Sequence, residues 1–323
     1  GDKYTGKEVV QVYYEAPQGK LGQPSRQLCG YLKTDNLAPG QSQMLTIEFA
    51  IDSMASYDDS GVTGNKSCYL LEAGDYNIYV GNSVKKNQLV FTYKLEELKV
   101  VEQLSECMCP DDDKLTLMKP GERKADGTYE ITYIPSQKPT VDLAKRIEDN
   151  LPPTMEITGD KGITLQDVRD GKAKVEDFVA QLSIPEMAQM VRGEGMSNPR
   201  VTKGTASAFG GLSDPLFNYG LPAACCADGP SGLRMEGKAT QLPIGTALSA
   251  SWNPALVKEL YTMEGQELYR NQVDTLLGPG VNIHRNPLNG RNFEYYSEDP
   301  YLSGTMSVAC TGGIKDGGAW GTI

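Results

Sequence analysis

Two hydrophobic rhythms divide this chain of 323 residues, and one fold cannot carry both. Through the first hundred residues apolar side chains recur at every second position. KEVVQVYYE is dense in Val and Tyr, MLTIEFAI alternates, and GDYNIYVGNS and QLVFTYKLEELKVV follow after Gly, Asn and Asp punctuation. A period of two belongs to half-buried β-strands. From residue 165 the spacing lengthens: TLQDVRDGKAKVEDFVAQLSIPEMAQMVRG sets Val, Phe, Leu and Met at helical intervals, enough for one or two amphipathic helices.

The first part, 1–104, reads as an Ig-like or fibronectin-like sandwich in which the first strand or two of seven are missing before Gly1. Residues 105–164 read as an irregular linker. PDDDK, KPGERKADG and SQKPT are rich in Pro, Gly and charge, and TYEITYI is the one strand candidate. From 165 to 323 strands and helices alternate. PAACCADGP is a short strand entering a loop, and GTALSAS reads as another. Asn253-Pro254 sets an N-cap before Pro at the first helical position, and that helix runs to about Asn271. VDTLLGPGV is a strand buried on both faces, a helix spans about Pro300 to Gly312, and AWGTI begins one more strand. Repeated β-α-β units imply parallel strands with helices outside, hence a barrel or a doubly wound sheet.

The net charge of −11 argues against a nucleic-acid partner, whose binders present basic faces. No stretch approaches the roughly 18 apolar residues of a membrane-spanning helix. Acidic clefts suit neutral polar ligands such as sugars, although charge alone does not show one. Seven cysteines, an odd number with Cys225 and Cys226 adjacent, make a poor disulfide framework and read as reduced cytoplasmic thiols. Cys107-Met108-Cys109 is at most half a metal site, without a second pair at zinc spacing, so no metal or cofactor is expected. The glycines of GPGVN and FGGLSDP form neither G-x-G-x-x-G nor a P-loop. The chain opens GDKYTGKEVV and closes GAWGTI, and both ends read as cut.

In a barrel the chemistry sits at the C-terminal ends of the strands. Two segments occupy such places, ADGPSGLR and GPGVNIHRNPLNGRNFE. Asp228 can accept hydrogen bonds from two neighbouring sugar hydroxyls, or it is a turn aspartate. Arg291 offers five donors in a fixed fork, or it pins the loop through Glu294 or Glu298. His284, the only histidine, is a general base by its ordinary pKa, yet no Ser or Cys nucleophile motif accompanies it, which favours an orienting role. Arg234, at the end of ADGPSGLR, and Glu194, in RGEGM, are further candidates for the mouth. Trp252 and Trp320 are stacking platforms or core residues.

LPAACCADGPSGLR followed by LPIGTALSASWNPALVKELYTMEGQELYRNQVDTLLGPGVNIHRNPLNGRNFEYYSEDPYLSG strongly resembles family 3 glycoside hydrolases, the β-glucosidase family. GKEVVQVYYEAP, GYLKTDNLAPGQS and AGDYNIYVGNS resemble the fibronectin type III-like domain of the same family. The order, fibronectin-like domain before barrel, resembles the circularly permuted subgroup. The resemblance implies a multidomain β plus α/β fold: an incomplete fibronectin III-like sandwich, then the first part of a (β/α)8 TIM-type barrel.

It also implies roles. The aspartate of the family's DGP-type motif and the arginine of its GR-x-FE motif, both of which line the −1 sugar subsite, match Asp228 and Arg291, with Glu294, Glu298 and Asp299 as braces. The family's Lys-His pair and its SDW-type catalytic aspartate would lie after Ile323, and its acid/base glutamate in a sandwich domain before Gly1. The expectation is therefore an internal piece of a retaining exo-hydrolase of β-glucosides. It would hold part of the sugar subsite and neither catalytic carboxylate, and it would be inactive until joined to the missing segments. The alternatives are a carbohydrate-binding or spacer module with a degenerate barrel, favoured by an exposed aromatic row drawn from Tyr13, Tyr14, Tyr31 and Tyr79, or β-xylosidase or N-acetylglucosaminidase specificity. Cytoplasmic location follows from the thiols and the subgroup.

Overall fold

A computed structural model describes residues 2–106, 115–136, 140–196 and 198–323. The chain divides into two compact units, Gly1–Pro152 and Pro153–Ile323. Cys107 and Cys109 lie outside the described residues.

The first unit is built from strands β1 (Val9–Glu15), β2 (Gln27–Lys33), β3 (Ser56–Asp58), β4 (Cys68–Leu71), β5 (Gly74–Ser83), β6 (Lys86–Leu95) and β7 (Lys99–Gln103). They form an antiparallel sheet in the order β2-β1-β5-β6 and a second in the order β3-β4-β7. Alternation decides which side chains enter the core: Val12 and Tyr14 from β1, and Tyr76 and Ile78 from β5, meet Met54, Cys29 and Leu71. Tyr13, Tyr14 and Tyr31 are buried, and Tyr79 lies beneath the Arg26 guanidinium, whose carbon is 3.6 Å from the ring centre. These four tyrosines therefore make no exposed row.

MLTIEFAI departs from expectation. Its alternation is present, with Leu45, Ile47 and Phe49 half-buried between exposed neighbours, yet the backbone joins no ladder. Ile47 docks over Gly30 of β2, where a Cβ would lie 2.6 Å from its methyl. The apolar face set the side-chain directions, and no described strand supplies the backbone partner.

Beyond β7, TYEITYI forms β9 (Tyr129–Pro135), and its partner β8 (Thr116–Arg123) makes a hairpin where one strand was expected. The carboxylate of Glu106 accepts from the Thr140 amide and hydroxyl, each at 2.9 Å, and its carbonyl accepts from Arg146 of helix α1 (Leu143–Asp149), tying together both ends of this excursion.

The second unit opens with three short helices where one or two were expected: α2 (Leu165–Arg169), α3 (Val175–Ala180) and α4 (Ile184–Arg192). Capping boxes start two of them, Thr164 with Asp167 and Ser183 with Glu186. Phe178, Leu182, Leu216 and Leu221 form their core. Strand β10 (Ser207–Gly210) and helix α5 (Asp214–Asn218) follow.

Then come β11 (Ala223–Asp228), α6 (Gly245–Ser249), α7 (Pro254–Arg270), β12 (Thr275–Leu277), α8 (Pro300–Gly317) and β13 (Trp320–Thr322). β11, β12 and β13 are parallel neighbours, and β10 runs antiparallel beside β11. Asp228 pairs in register with Leu277, and Leu277 with Thr322, so the strands end level. Asn253 caps α7, with Pro254 at its start. GTALSAS, expected as a strand, is helical from Gly245 to Ser249. Small residues permit either state, and here Gly245 lets the turn press against the Glu294 carbonyl, a contact that an alternating strand would not make. No helix among the described residues is long and apolar enough to cross a membrane.

Candidate functional site

β11 delivers Asp228 to the C-terminal edge of the parallel strands. Gly229 turns the chain there with φ +151°, and a Cβ on it would strike the Gly232 carbonyl. The backbone returns at Arg234, whose amide donates to the Asp228 carbonyl at 2.8 Å. The Arg234 side chain reaches the Asp228 carboxylate at 3.3 Å, but it is 82% exposed, so the pair is a weak surface bridge.

The second segment arrives through a one-turn 3-10 helix over Asn292–Glu294 that follows Arg291. The Arg291 guanidinium donates through Nε to the nearly buried Glu294 carboxylate, while most of the fork stays exposed. That hydrogen bond and the Glu294 charge stabilise the guanidinium above its ordinary value, with the Asp228 charge a smaller contributor. Helix α6 braces the turn: Thr246 Oγ donates to the Tyr295 carbonyl at 2.9 Å, and Ser249 Oγ to that of Tyr296.

Asp228, Arg234, Arg291, Phe293 and Glu294 line one open cleft of about 790 Å³, floored by the lobe that follows Asp228. A smaller recess of about 190 Å³ adjoins it, sharing Pro230 and Arg291 and reaching Gly278, Asn282 and Thr322 at the strand ends. Two carboxylates, one of them already held by Arg291, and two guanidinium forks in an open polar cleft can hold a ligand rich in hydroxyl groups by paired hydrogen bonds.

The other candidates lie elsewhere. His284 donates from Nε2 to the Tyr295 carbonyl at 3.2 Å and from its amide to the Ser297 carbonyl, so it braces the loop and does not line the cleft. Glu194 pairs with Ala208 of β10, and its carboxylate accepts from Asn198 at 2.7 Å and Gln189 at 2.9 Å, bonds that hold it below the usual glutamate range. Trp320 starts β13, at the opposite strand end from Thr322, which borders the recess. Asp299 caps α8. Met235 and Thr240 also line the cleft without a sequence signal, because an irregular lobe has no period to betray its facing, and Phe293 lines it from the one-turn 3-10 helix. Among the described residues no three His, Cys, Asp or Glu side chains converge as metal ligands do.

Comparison with known proteins decides the family. Residues 160–323 match the glycosyl hydrolase family 3 N terminal domain, and residues 8–84 the fibronectin type III-like domain. The chain belongs to glycosyl hydrolase family 3. Within this family it is 49% identical to a β-glucosidase of Ruminococcus albus over 98% of the chain and 33% of that protein. It is 38% identical to β-glucosidase A of Butyrivibrio fibrisolvens over 97% of the chain and 39% of that protein. The solved structure of a β-glucosidase from Paenibacillus barengoltzii, 56% identical, matches all of the chain with 36% of its own length and a TM-score of 0.93. The family 3 chain thus spans about a third of these relatives, with a fibronectin-like sandwich followed by the N-terminal part of the barrel domain.

Proposed function

We propose that this family 3 chain supplies part of the −1 subsite of a retaining β-glucosidase, with Asp228 and Arg291 as the residues that bind the sugar. The observation that carries the reading is the convergence of Asp228 and Arg291, 63 positions apart in sequence, on one polar cleft at the C-terminal edge of three parallel strands. Relatives named as β-glucosidases over nearly the full chain support terminal β-linked glucose as substrate. Arg234 is a rim contact on this reading, and His284 and Glu194 are braces.

A retaining glycosidase needs two carboxylates about 5–5.5 Å apart, one as nucleophile and one as acid/base. On the proposed reading neither comes from residues 1–323. The chain positions the glucosyl ring, and the reacting groups come from other segments. We place the protein in the cytoplasm, since its five described cysteines are free thiols.

The test assays the 323-residue chain alone and spliced in place of the matching third of the Ruminococcus albus β-glucosidase. The expected result is no turnover of 4-nitrophenyl β-D-glucoside by the chain alone. The spliced protein should hydrolyse the glucoside, preferring it to the β-xyloside and the N-acetyl-β-glucosaminide. Turnover by the lone chain would locate both carboxylates inside it and refute the reading. A preference for the xyloside or the glucosaminide would refute the substrate.

A further inference from the structure

Helix α7 reaches the lobe under the cleft at two points. Tyr261, fully buried, donates from its hydroxyl to the Pro230 carbonyl at 2.8 Å. Less than two turns further on, Glu267 accepts the Thr240 amide at 3.0 and 3.2 Å and the Thr240 hydroxyl at 3.3 Å. Pro230 and Thr240 stand near the two ends of the lobe that floors the cleft. The lobe closes on itself between them: the Leu242 amide donates to the Ser231 carbonyl at 2.9 Å, and Gly232, at φ +116°, tucks under the Thr240 carbonyl. Gly278, just past β12, presses on the same proline; a Cβ there would lie 3.1 Å from Pro230 Cα.

The Asp228 carboxylate has no comparable restraint of its own. Its ion-pair partner among the described residues, Arg234, is mostly in solvent. The backbone two residues on, at Pro230, is what the structure holds. We infer that Tyr261 and Glu267 are positioning residues of the sugar subsite: from one helix they fasten both ends of the 229–241 lobe and so set where the Asp228 carboxylate points. This rests on the reading of the cleft as a sugar subsite. Neither residue touches the cleft itself. Tyr261 is suited to the task because burial keeps its phenol protonated far beyond the usual range, leaving it a permanent donor.

The experiment uses the spliced protein with the variants Tyr261→Phe, Glu267→Gln, Asp228→Ala and the double variant Tyr261→Phe/Asp228→Ala. Ki for glucose and KM and kcat for the glucoside are read beside Tm. Loss of the hydrogen bond to the Pro230 carbonyl in Tyr261→Phe should raise Ki and KM about fivefold. The same substitution should add nothing in the Asp228→Ala background, because it acts through that carboxylate. Glu267→Gln, which keeps one acceptor, should raise Ki less than Tyr261→Phe. Amides of residues 231–241 should exchange faster in Tyr261→Phe, with the rest of the barrel unit unchanged.

If Tyr261→Phe lowers Tm and kcat with Ki unchanged, or costs the same factor with and without Asp228, the inference is wrong and Tyr261 is only a core residue. If Asp228→Ala itself leaves Ki unchanged, the sugar reading fails and takes the inference with it. If Asp228→Ala raises Ki while Tyr261→Phe and Glu267→Gln do not, the subsite stands and the clasp alone is overturned.

Discussion

Glu264 carries the plainest consequence of a single side chain's surroundings. It is 3% exposed on α7, neither carboxylate oxygen has a hydrogen-bond partner among the described residues, and burial, aided by the charge of Glu267, lifts its pKa to about 8. The unfolded chain loses this proton near pH 4.5, whereas the folded chain keeps it to about pH 8. Between those values unfolding releases a proton, so stability is full below pH 4.5 and falls as pH rises to about 8. Glu264→Gln should therefore flatten the pH dependence of Tm over this window, with its largest gain at pH 8; parallel profiles for variant and parent would contradict this. Asp58 is the opposite case. Burial raises its pKa, but hydrogen bonds from Thr63, Gly61 and Ser60 outweigh it and hold the carboxyl below its usual range. Its oxygens gather the amides of residues 60–63 and the hydroxyls of Ser60 and Thr63. Its contribution is present above the usual aspartate range and is lost as pH falls below it. Asp58→Ala should cost about 3 kcal/mol in urea unfolding at pH 7, since several donors lose their acceptor at once.

Helices α7 and α8 pack at backbone distance because glycines face each other. A Cβ on Gly265 would strike the Ile314 carbonyl, and one on Gly313 or Gly317 would meet the carbonyls of Lys258 or Thr262. Gly265→Val should destabilise the barrel unit by about 1–3 kcal/mol through overpacking. Gly304→Ala, in the same α8 but facing open space, should stabilise by up to about 1 kcal/mol. Thermal melts of the two variants check both signs. These elements also show what a one-dimensional reading resolves. Asn253-Pro254 placed the start of α7 correctly because a cap is a local signal. GTALSAS misled because small residues carry no period, and a backbone approach to Glu294, distant in sequence, selected the helix. In MLTIEFAI the period fixed the inner face, but pairing needs a neighbour that local sequence cannot supply. What the sequence offered of the cleft was Asp228, a polar residue at a strand end, and Arg291, in the loop that follows β12. It offered no sign of Tyr261, whose hydroxyl reads from sequence as one more core aromatic.

A family 3 chain spanning about a third of its β-glucosidase relatives is a division of labour on the proposed account: this part holds the sugar and other parts perform the reaction. The claim that decides the account is that glucose sits between Asp228 and Arg291. A crystal structure of the spliced protein with glucose bound tests it most directly. The account predicts the sugar in the 228–241 cleft, with ring hydroxyls within hydrogen-bond distance of the Asp228 carboxylate and the Arg291 guanidinium. Glucose bound elsewhere, with no ring hydroxyl on the Asp228 carboxylate or the Arg291 guanidinium, would contradict it.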